Sequence, residues 1–306
     1  MLTTSESTLT GSVGIYVSAF LIICYGFLFW GFVVRRRRTS TLNYVADRRK
    51  MRSRGMSALY WSSPIFFVAV WGLISHSGIA PNQSIPTPLT FARSFWALTI
   101  SGTLPIEALI SFSRVVVGFT AAAIIGVPLG LLAGSFVVGR NLIGPTNSFF
   151  RYIPPTAFIA LLIVYFGVGE EFKYAVVFLG VVFFITQMVI DVVDDMDSRY
   201  VEIALTSGLS NWEVFRRTII PFCWPRIFDV LRINLSAAWT FLVAAELIGA
   251  ERGLGHFIAV SQRFLRLGDL YSGIVAFGII GLVTDFALEV LSRRLFRWYY
   301  ITLKRE

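Results

Sequence analysis

The chain has 306 residues, 56% of them hydrophobic and only 15% charged, with a mean hydropathy of +0.70. Soluble domains run about 45–50% apolar and about 25% charged, so the composition excludes a soluble globular protein and describes an integral membrane protein. Two cysteines (Cys24, Cys223) and two histidines (His76, His256), widely separated, supply neither a disulfide framework nor a metal-ligand cluster.

A bilayer core of about 30 Å takes roughly 20 apolar residues per helix. Residues 11–34 form the first predicted span. It is too long and aromatic for a signal-peptide core and ends in Arg35, Arg36, Arg37 and Arg38 with no cleavage site after it, so it reads as a retained helix. Further spans are expected at 56–79, 115–139, 152–169 and 174–190. Two more, 226–248 and 270–293, carry Asp229, Arg232 and Glu246, and Asp285 and Glu289. The expectation is an all-α polytopic bundle of about seven transmembrane helices.

The formal charge of +9 invites a nucleic-acid reading, but loop charges account for it. Seven alternating spans put twenty Lys and Arg on one side: nine in residues 35–55, two in 140–151, four in 191–226 and five in the C-terminal tail. The other side holds five, namely Arg93, Lys173, Arg252, Arg263 and Arg266. The positive-inside rule then places the N-terminus outside and the C-terminus in the cytoplasm of a cell membrane protein, with no nucleic-acid partner implied. Arg35 to Arg38 read mainly as a topological anchor, with attraction to anionic membrane lipid as the alternative.

Two connections are more than linkers. On the outer side, Ile85-Pro86-Thr87-Pro88 leads into an amphipathic helix with Leu89, Phe91, Phe95, Trp96 and Leu98, expected along the interface. On the inner side, residues 191–225 form the longest polar stretch between spans. Residues 198–207 read as a short helix with Tyr200, Ile203 and Ala204 on one face, ended by Gly208. A second helix begins at Ser210, whose hydroxyl and Glu213 make a capping box. Val214, Phe215 and Ile219 give it an apolar side, and Pro221 and Pro225 are expected to stop it at the membrane. Such a knob either docks into a groove of another protein or folds against its own bundle.

Glu202-Ile203-Ala204, then Gly208, then Ile220-Pro221 resembles the EAA loop of ABC-importer permeases, with Ile203, Thr218 and Ile220 as departures. Further ordered matches resemble the subfamily that imports nitrate, taurine, aliphatic sulfonates or bicarbonate. They include Ile85 to Pro88, Ser113-Arg114-Val115, Gly118-Phe119, Gly126, Leu129-Gly130-Leu131, Gly134, Arg151-x-Ile153-Pro154, Phe166 to Glu170 with Lys173, Ala245-Glu246, Gly253-Leu254-Gly255 and Trp298. The resemblance covers residues 60–299 and implies a type I ABC-importer permease with six core helices from residue 56 to 300. Residues 1–55 are then an added helix and basic loop. It implies coupling through Glu202, Ile203, Ala204, Gly208, Ile220 and Pro221. It also implies partner ATPase subunits that bind ATP and Mg, an extracytoplasmic solute-binding protein, and a second permease copy. No cofactor is expected in this chain.

Ionisable residues inside a membrane need partners or water. For Arg114 the readings are snorkelling to the outer boundary, a helix-to-helix pair, or attraction of an entering anion. Arg232 points to a pair with Asp229 or a neighbouring helix, Glu246 to a structural pair or a gate, and Glu289 to Arg293 one turn on. Gly126, Gly130 and Gly134 suit close helix approach, within the subunit or in a dimer. Pro154-Pro155 and Gly167 with Gly169 mark a broken helix, the kind that lines pathways in transporters. Arg114, Pro154, Gly167 and Glu246 are therefore the candidate pathway or gate residues. The chain carries no Gly-x-x-x-x-Gly-Lys-Ser/Thr phosphate loop, which fits a permease driven by a separate ATPase. An intramembrane enzyme would need a catalytic set that His76 and His256 do not supply. An ATP-independent carrier or channel would need no docking knob.

Overall fold

A computed structural model of the chain describes residues 70–75 and 85–302. The predicted span at 11–34, the basic loop after it and most of the span at 56–79 lie outside the described residues. Within the first part of the chain, the Trp71 indole N–H donates to the Pro86 carbonyl at 3.0 Å and the ring packs on Phe91. Helix α1 runs Pro88–Ile100, where the amphipathic segment was expected.

Residues from Phe95 onward form one compact unit. Helix α2 spans Thr103–Ser135, α3 Val137–Tyr152, α4 Phe158–Phe166 after a 3-10 turn at Pro155–Ala157, and α5 Glu170–Asp194. The short α6 (Ser198–Thr206) and α7 (Asn211–Val214) follow, and a π turn over Phe215–Ile219 leads into α8 (Ile220–Gly249). Helices α9 (Leu254–Arg263), α10 (Leu267–Leu295) and α11 (Arg297–Thr302) complete the described chain.

The core is the seam where α2 lies on α5. Three glycines at four-residue spacing make that approach possible, because a Cβ on Gly130 would stand 2.6 Å from Val189 Cβ and 2.7 Å from the Thr186 carbonyl. Gly126 faces Ile185 and Gly134 faces Val193 in the same way. The glycine stripe thus packs helices within the subunit. Helix α8 closes the other flank of α5, burying Ile227, Val230, Leu235, Ala238 and Leu242.

Several expected boundaries change. The segment expected as a loop at 140–151 is helix α3, whose Pro145 sits inside it. The span expected at 152–169 holds only the nine-residue α4 after its 3-10 turn, bent 76° from α3, the geometry of a broken span or a re-entrant loop. The break before α3 falls at Phe136, which takes extended backbone (φ −123°, ψ 134°) while its ring packs on Phe215 at 5.2 Å. Neither Pro221 nor Pro225 ends a helix. The π turn ahead of Pro221, in which the Ile220 N–H reaches the Phe215 carbonyl, widens the backbone where a proline ring would otherwise clash. The loop expected at 251–269 contains α9. Among the described residues, α2, α5, the α7–α8 run and α10 are long and apolar enough to cross a bilayer, which makes four spans, or five if the bent pair is one.

Candidate functional site

Two clusters carry the polar chemistry. The first is the knob between α5 and α8. Asp197 caps α6 by accepting the Arg199 N–H at 3.0 Å, and its carboxylate also pairs with the Arg199 guanidinium. That guanidinium, with the backbone N–H, holds the Asp197 carboxyl down at about 2. At the other end Gly208 takes φ +86°. Its N–H reaches the Leu205 carbonyl at 2.9 Å and the Leu209 N–H reaches Ala204 at 3.3 Å, which together make a Schellman closure. The expected capping box is present, with Ser210 and Glu213 satisfying each other's backbone N–H groups.

Burial divides the knob. Ala204 faces inward with Val214, Phe215 and Ile219, so the apolar side of the second helix seals against the chain's own core. Ile203 is 64% exposed and Tyr200 49%, although Tyr200 packs on Phe222 along one edge. Leu205, Trp212 and Glu202 are exposed beside them. Ile220 is half-buried and Pro221 exposed at the start of α8. Glu202, Ile203, Ala204 and Gly208 thus share one short helix and its turn, with Ile220 and Pro221 at the root of the next.

The second cluster ties α2, α5, α8 and α9 together. Arg114 lies eleven positions into α2, because that helix begins at Thr103, well ahead of the expected start at 115. It grips Glu170 bidentately, with Nε and Nη2 each at 2.6 Å, and its Nη1 donates to Glu246 at 2.6 Å and to the Arg252 carbonyl at 2.7 Å. Lys173 joins Glu170 at 2.7 Å. Glu246 also accepts from the Ser111 hydroxyl at 2.8 Å and the Gly255 N–H at 2.8 Å, while the Leu254 N–H donates to Ser111. Glu107 receives the Gly253 N–H and Arg252. Two cations balance two carboxylates around Arg114, and Arg114 itself is only 2% exposed. A helix-to-helix pair is therefore what the Arg114 geometry realises. Gly253, at φ +109°, lets the loop fold over Arg114 and Glu246.

Pro154 and Gly167 are not part of this cluster. They bracket the short α4, Pro154 ahead of its 3-10 turn and Gly167 capping its end at φ +67°. Glu170, which pairs with Arg114, and Ser111 and Glu107, which hold Glu246 and the Gly253 loop beside it, were not singled out from the sequence for these contacts. Glu107, Ser111 and Arg114 follow helical spacing of four and three, and that polar stripe in an apolar span is the signal that points to them. Lower down, Arg232 binds Asp285 bidentately at 2.8 and 3.0 Å and reaches Glu289 at 3.0 Å, so its pair is with α10 and not with Asp229 alone. Glu289 also holds Arg293 at 2.6 Å, as its spacing predicted.

A bundle of long apolar helices, bound by buried ion pairs at one end and bearing an amphipathic knob between two spans, defines the membrane subunit of a transporter. Residues 126–297 match the family described as binding-protein-dependent transport system inner membrane component, and the chain belongs to that family. The Escherichia coli taurine transport system permease is 30% identical over 76% of this chain and 86% of its own length. The Synechocystis nitrate import permease is 26% identical over 82% of this chain and 90% of its own length. A structure of the inward-facing MetNI methionine ABC transporter matches with TM-score 0.54 at 18% identity, covering 64% of this chain and 97% of the other. The fold is that of a type I ABC-importer permease. The chain is accordingly the non-enzymatic, multi-pass membrane subunit of a binding-protein-dependent ABC importer, whose ATPase is a separate subunit.

Proposed function

We propose that two copies of this chain enclose the path of a small solute bearing an oxyanion, of the nitrate, sulfonate, taurine or bicarbonate kind, and that partner ATPase subunits binding ATP and Mg drive it through the α6 knob. The observation that carries this reading is the split burial of the knob. Ala204, Val214, Phe215 and Ile219 fix it rigidly to the bundle, and Tyr200, Ile203 and Leu205 stay outside for a partner. A buttressed helix with an exposed apolar face transmits a push, whereas a loose loop absorbs it. Glu202, Ile203, Ala204, Gly208, Ile220 and Pro221 are the coupling residues. The locked Arg114–Glu246 pair forms the opposite, gated end, and Pro154 and Gly167 bracket the broken α4 of the pathway.

The lysine and arginine bias puts the knob in the cytoplasm and the Arg114 cluster outside. Arg140–Asp194 and Arg226–Asp195 pair at the knob end of the bundle, in keeping with that orientation. Residues 1–55 are an addition to the 56–300 permease, and Arg35 to Arg38 serve as a topological anchor.

Affinity purification from the native membrane in mild detergent, followed by mass spectrometry, tests the coupling. An ATPase subunit in equal amount, lost from Gly208→Val while the variant still inserts, is the expected result. A chain that purifies without any ATPase returns the protein to the carrier or channel class.

A further inference from the structure

The fold carries Arg151 from an expected cytoplasmic loop into the middle of the bundle. Helix α3 climbs along α5, and the contacts between the two helices give its depth. Arg140 pairs with Asp194 at the knob end of α5. Further along α3, the Asn147 amide donates to the Phe183 carbonyl at 3.1 Å and the Phe150 ring stacks on Phe183 at 5.1 Å. Phe183 stands 13 positions from Glu170 and 11 from Asp194, so at about 1.5 Å per residue it lies halfway along the spanning α5. Arg151 follows Phe150 directly, and a half-thickness of about 15 Å is more than an arginine side chain can bridge.

What Arg151 meets at that depth follows from its surroundings. Among the described residues it makes no ion pair, in contrast to Arg114 and Arg232, and its guanidinium rests 5.6 Å from the centre of the Tyr152 ring. Helix α3 stops here, with Ile153 extended (φ −79°, ψ 121°) and Pro154 after it. The side chains at the break point away from the subunit: Tyr152 is 80% exposed, and Pro154 and Thr156 are exposed with it. A guanidinium facing outward at mid-depth cannot face hydrocarbon. The carboxylates within α8 and α10 already have cations, because Glu246 holds Arg114, Asp285 and Glu289 hold Arg232, and Asp229 lies in the field of that same Arg232. A second copy would therefore bring Arg151 no unclaimed carboxylate from these two helices, and water is left as its surroundings.

We propose that Arg151 is an anion contact within the transport path, where its guanidinium takes two oxygens of the passing oxyanion head. The planar fork of N–H donors matches paired oxygens of a nitrate, bicarbonate or sulfonate group, which a point charge does not. The face of Tyr152 keeps the fork at the break between α3 and α4. The proposal rests on the permease reading and adds to it a binding residue that the loop count had treated as a topological charge.

Tyr152 gives access for the test. Membrane fragments open at both faces carry the chain with its ATPase, and Tyr152→Cys is placed in a Cys24→Ser, Cys223→Ser background. Methanethiosulfonate reagents bearing a sulfonate or a trimethylammonium group are compared, each normalised to its rate with free cysteine. A full positive charge at 5.6 Å in water favours the sulfonate reagent about tenfold. The ratio is expected to persist in Arg151→Lys and to fall to about one in Arg151→Gln. Nitrate and methanesulfonate, at constant ionic strength, are expected to slow labelling by an uncharged reagent. That protection should be lost in Arg151→Gln and also in Arg151→Lys, which keeps the charge without the fork. No labelling by either charged reagent, equal rates, a ratio that survives Arg151→Gln, or protection that is absent or unchanged in Arg151→Lys would each overturn the contact. Co-purification of the ATPase with the wild-type chain is read separately. Its absence with the charge preference intact sinks the permease reading, and its presence without the preference sinks the Arg151 contact alone.

Discussion

Arg114 and Glu246 stand 132 positions apart in the chain and meet at 2.6 Å with side-chain exposures of 3% and 0%. The loop after α8 is folded over them, so this pair and its neighbours decide whether four helices stay together at that end of the bundle. Removing one partner of a buried pair leaves an uncompensated charge, which costs about 3–5 kcal/mol. Arg114→Met is expected to destabilise on that scale, since it strands Glu246 with only Ser111 and Gly255 as donors. Glu170→Gln is expected to cost less, about 1–3 kcal/mol, because Glu170 is itself 46% exposed while the change leaves the buried Lys173 without its carboxylate. Thermal unfolding in detergent measures both. The double variant Arg114→Met, Glu246→Gln should recover part of the loss, and equal costs for Arg114→Met and Glu170→Gln would refute the assignment.

The α2–α5 seam yields a paired prediction. Gly130→Ala forces a methyl into Val189 and the Thr186 carbonyl, and overpacking of that kind costs about 1–3 kcal/mol. Gly144→Ala, in α3 where a Cβ meets nothing within 4 Å, is expected to be neutral or slightly stabilising. Parallel melting curves that shift alike for the two would argue against the close approach.

Legibility in the sequence followed the range of the interaction. The glycine stripe on α2, the Ser210–Glu213 box, the Gly208 turn and the Glu289–Arg293 pair are written within four to eight residues, and each was readable from spacing alone. The partners of Arg114 are 56 and 132 positions away, and no local pattern states which of several intramembrane carboxylates a lone arginine meets. Helix ends misled for a related reason. Pro145 and Pro225 sit inside helices, and the break between α2 and α3 falls instead at Phe136, held by a tertiary contact with Phe215. Proline weakens a helix locally, but packing across the bundle determines where the chain turns.

Gly208 gives a graded test of the knob. Its φ of +86° comes with open space around the missing Cβ, so a side chain there suffers backbone strain and no collision. Left-handed backbone costs an ordinary L-residue about 1–2 kcal/mol, and asparagine tolerates it best. ATP-driven uptake is therefore expected to fall in the order wild type, Gly208→Asn, Gly208→Ala, Gly208→Val. Wild-type uptake by Gly208→Val would remove the turn from the coupling path.

The Asp197 cap predicts a pH dependence confined to acid. Arg199 lowers the carboxyl from its usual 3.8 to about 2 in the folded knob. A depressed folded value means that the contribution of the cap is complete above the unfolded value and is lost as pH falls through the folded one. Hydrogen-exchange protection at the start of α6 should therefore hold from pH 8 down to about 4 and decline only between about 4 and 2. Replacing Arg199 with Gln removes the guanidinium that depresses the carboxyl, so the decline should move up toward 4 while the cap itself, made to the backbone N–H of residue 199, survives at neutral pH. A decline already under way at pH 6 in the wild type would show that some other group governs the entry to the knob. An unchanged profile in Arg199→Gln would show that the guanidinium does not set the acid limit.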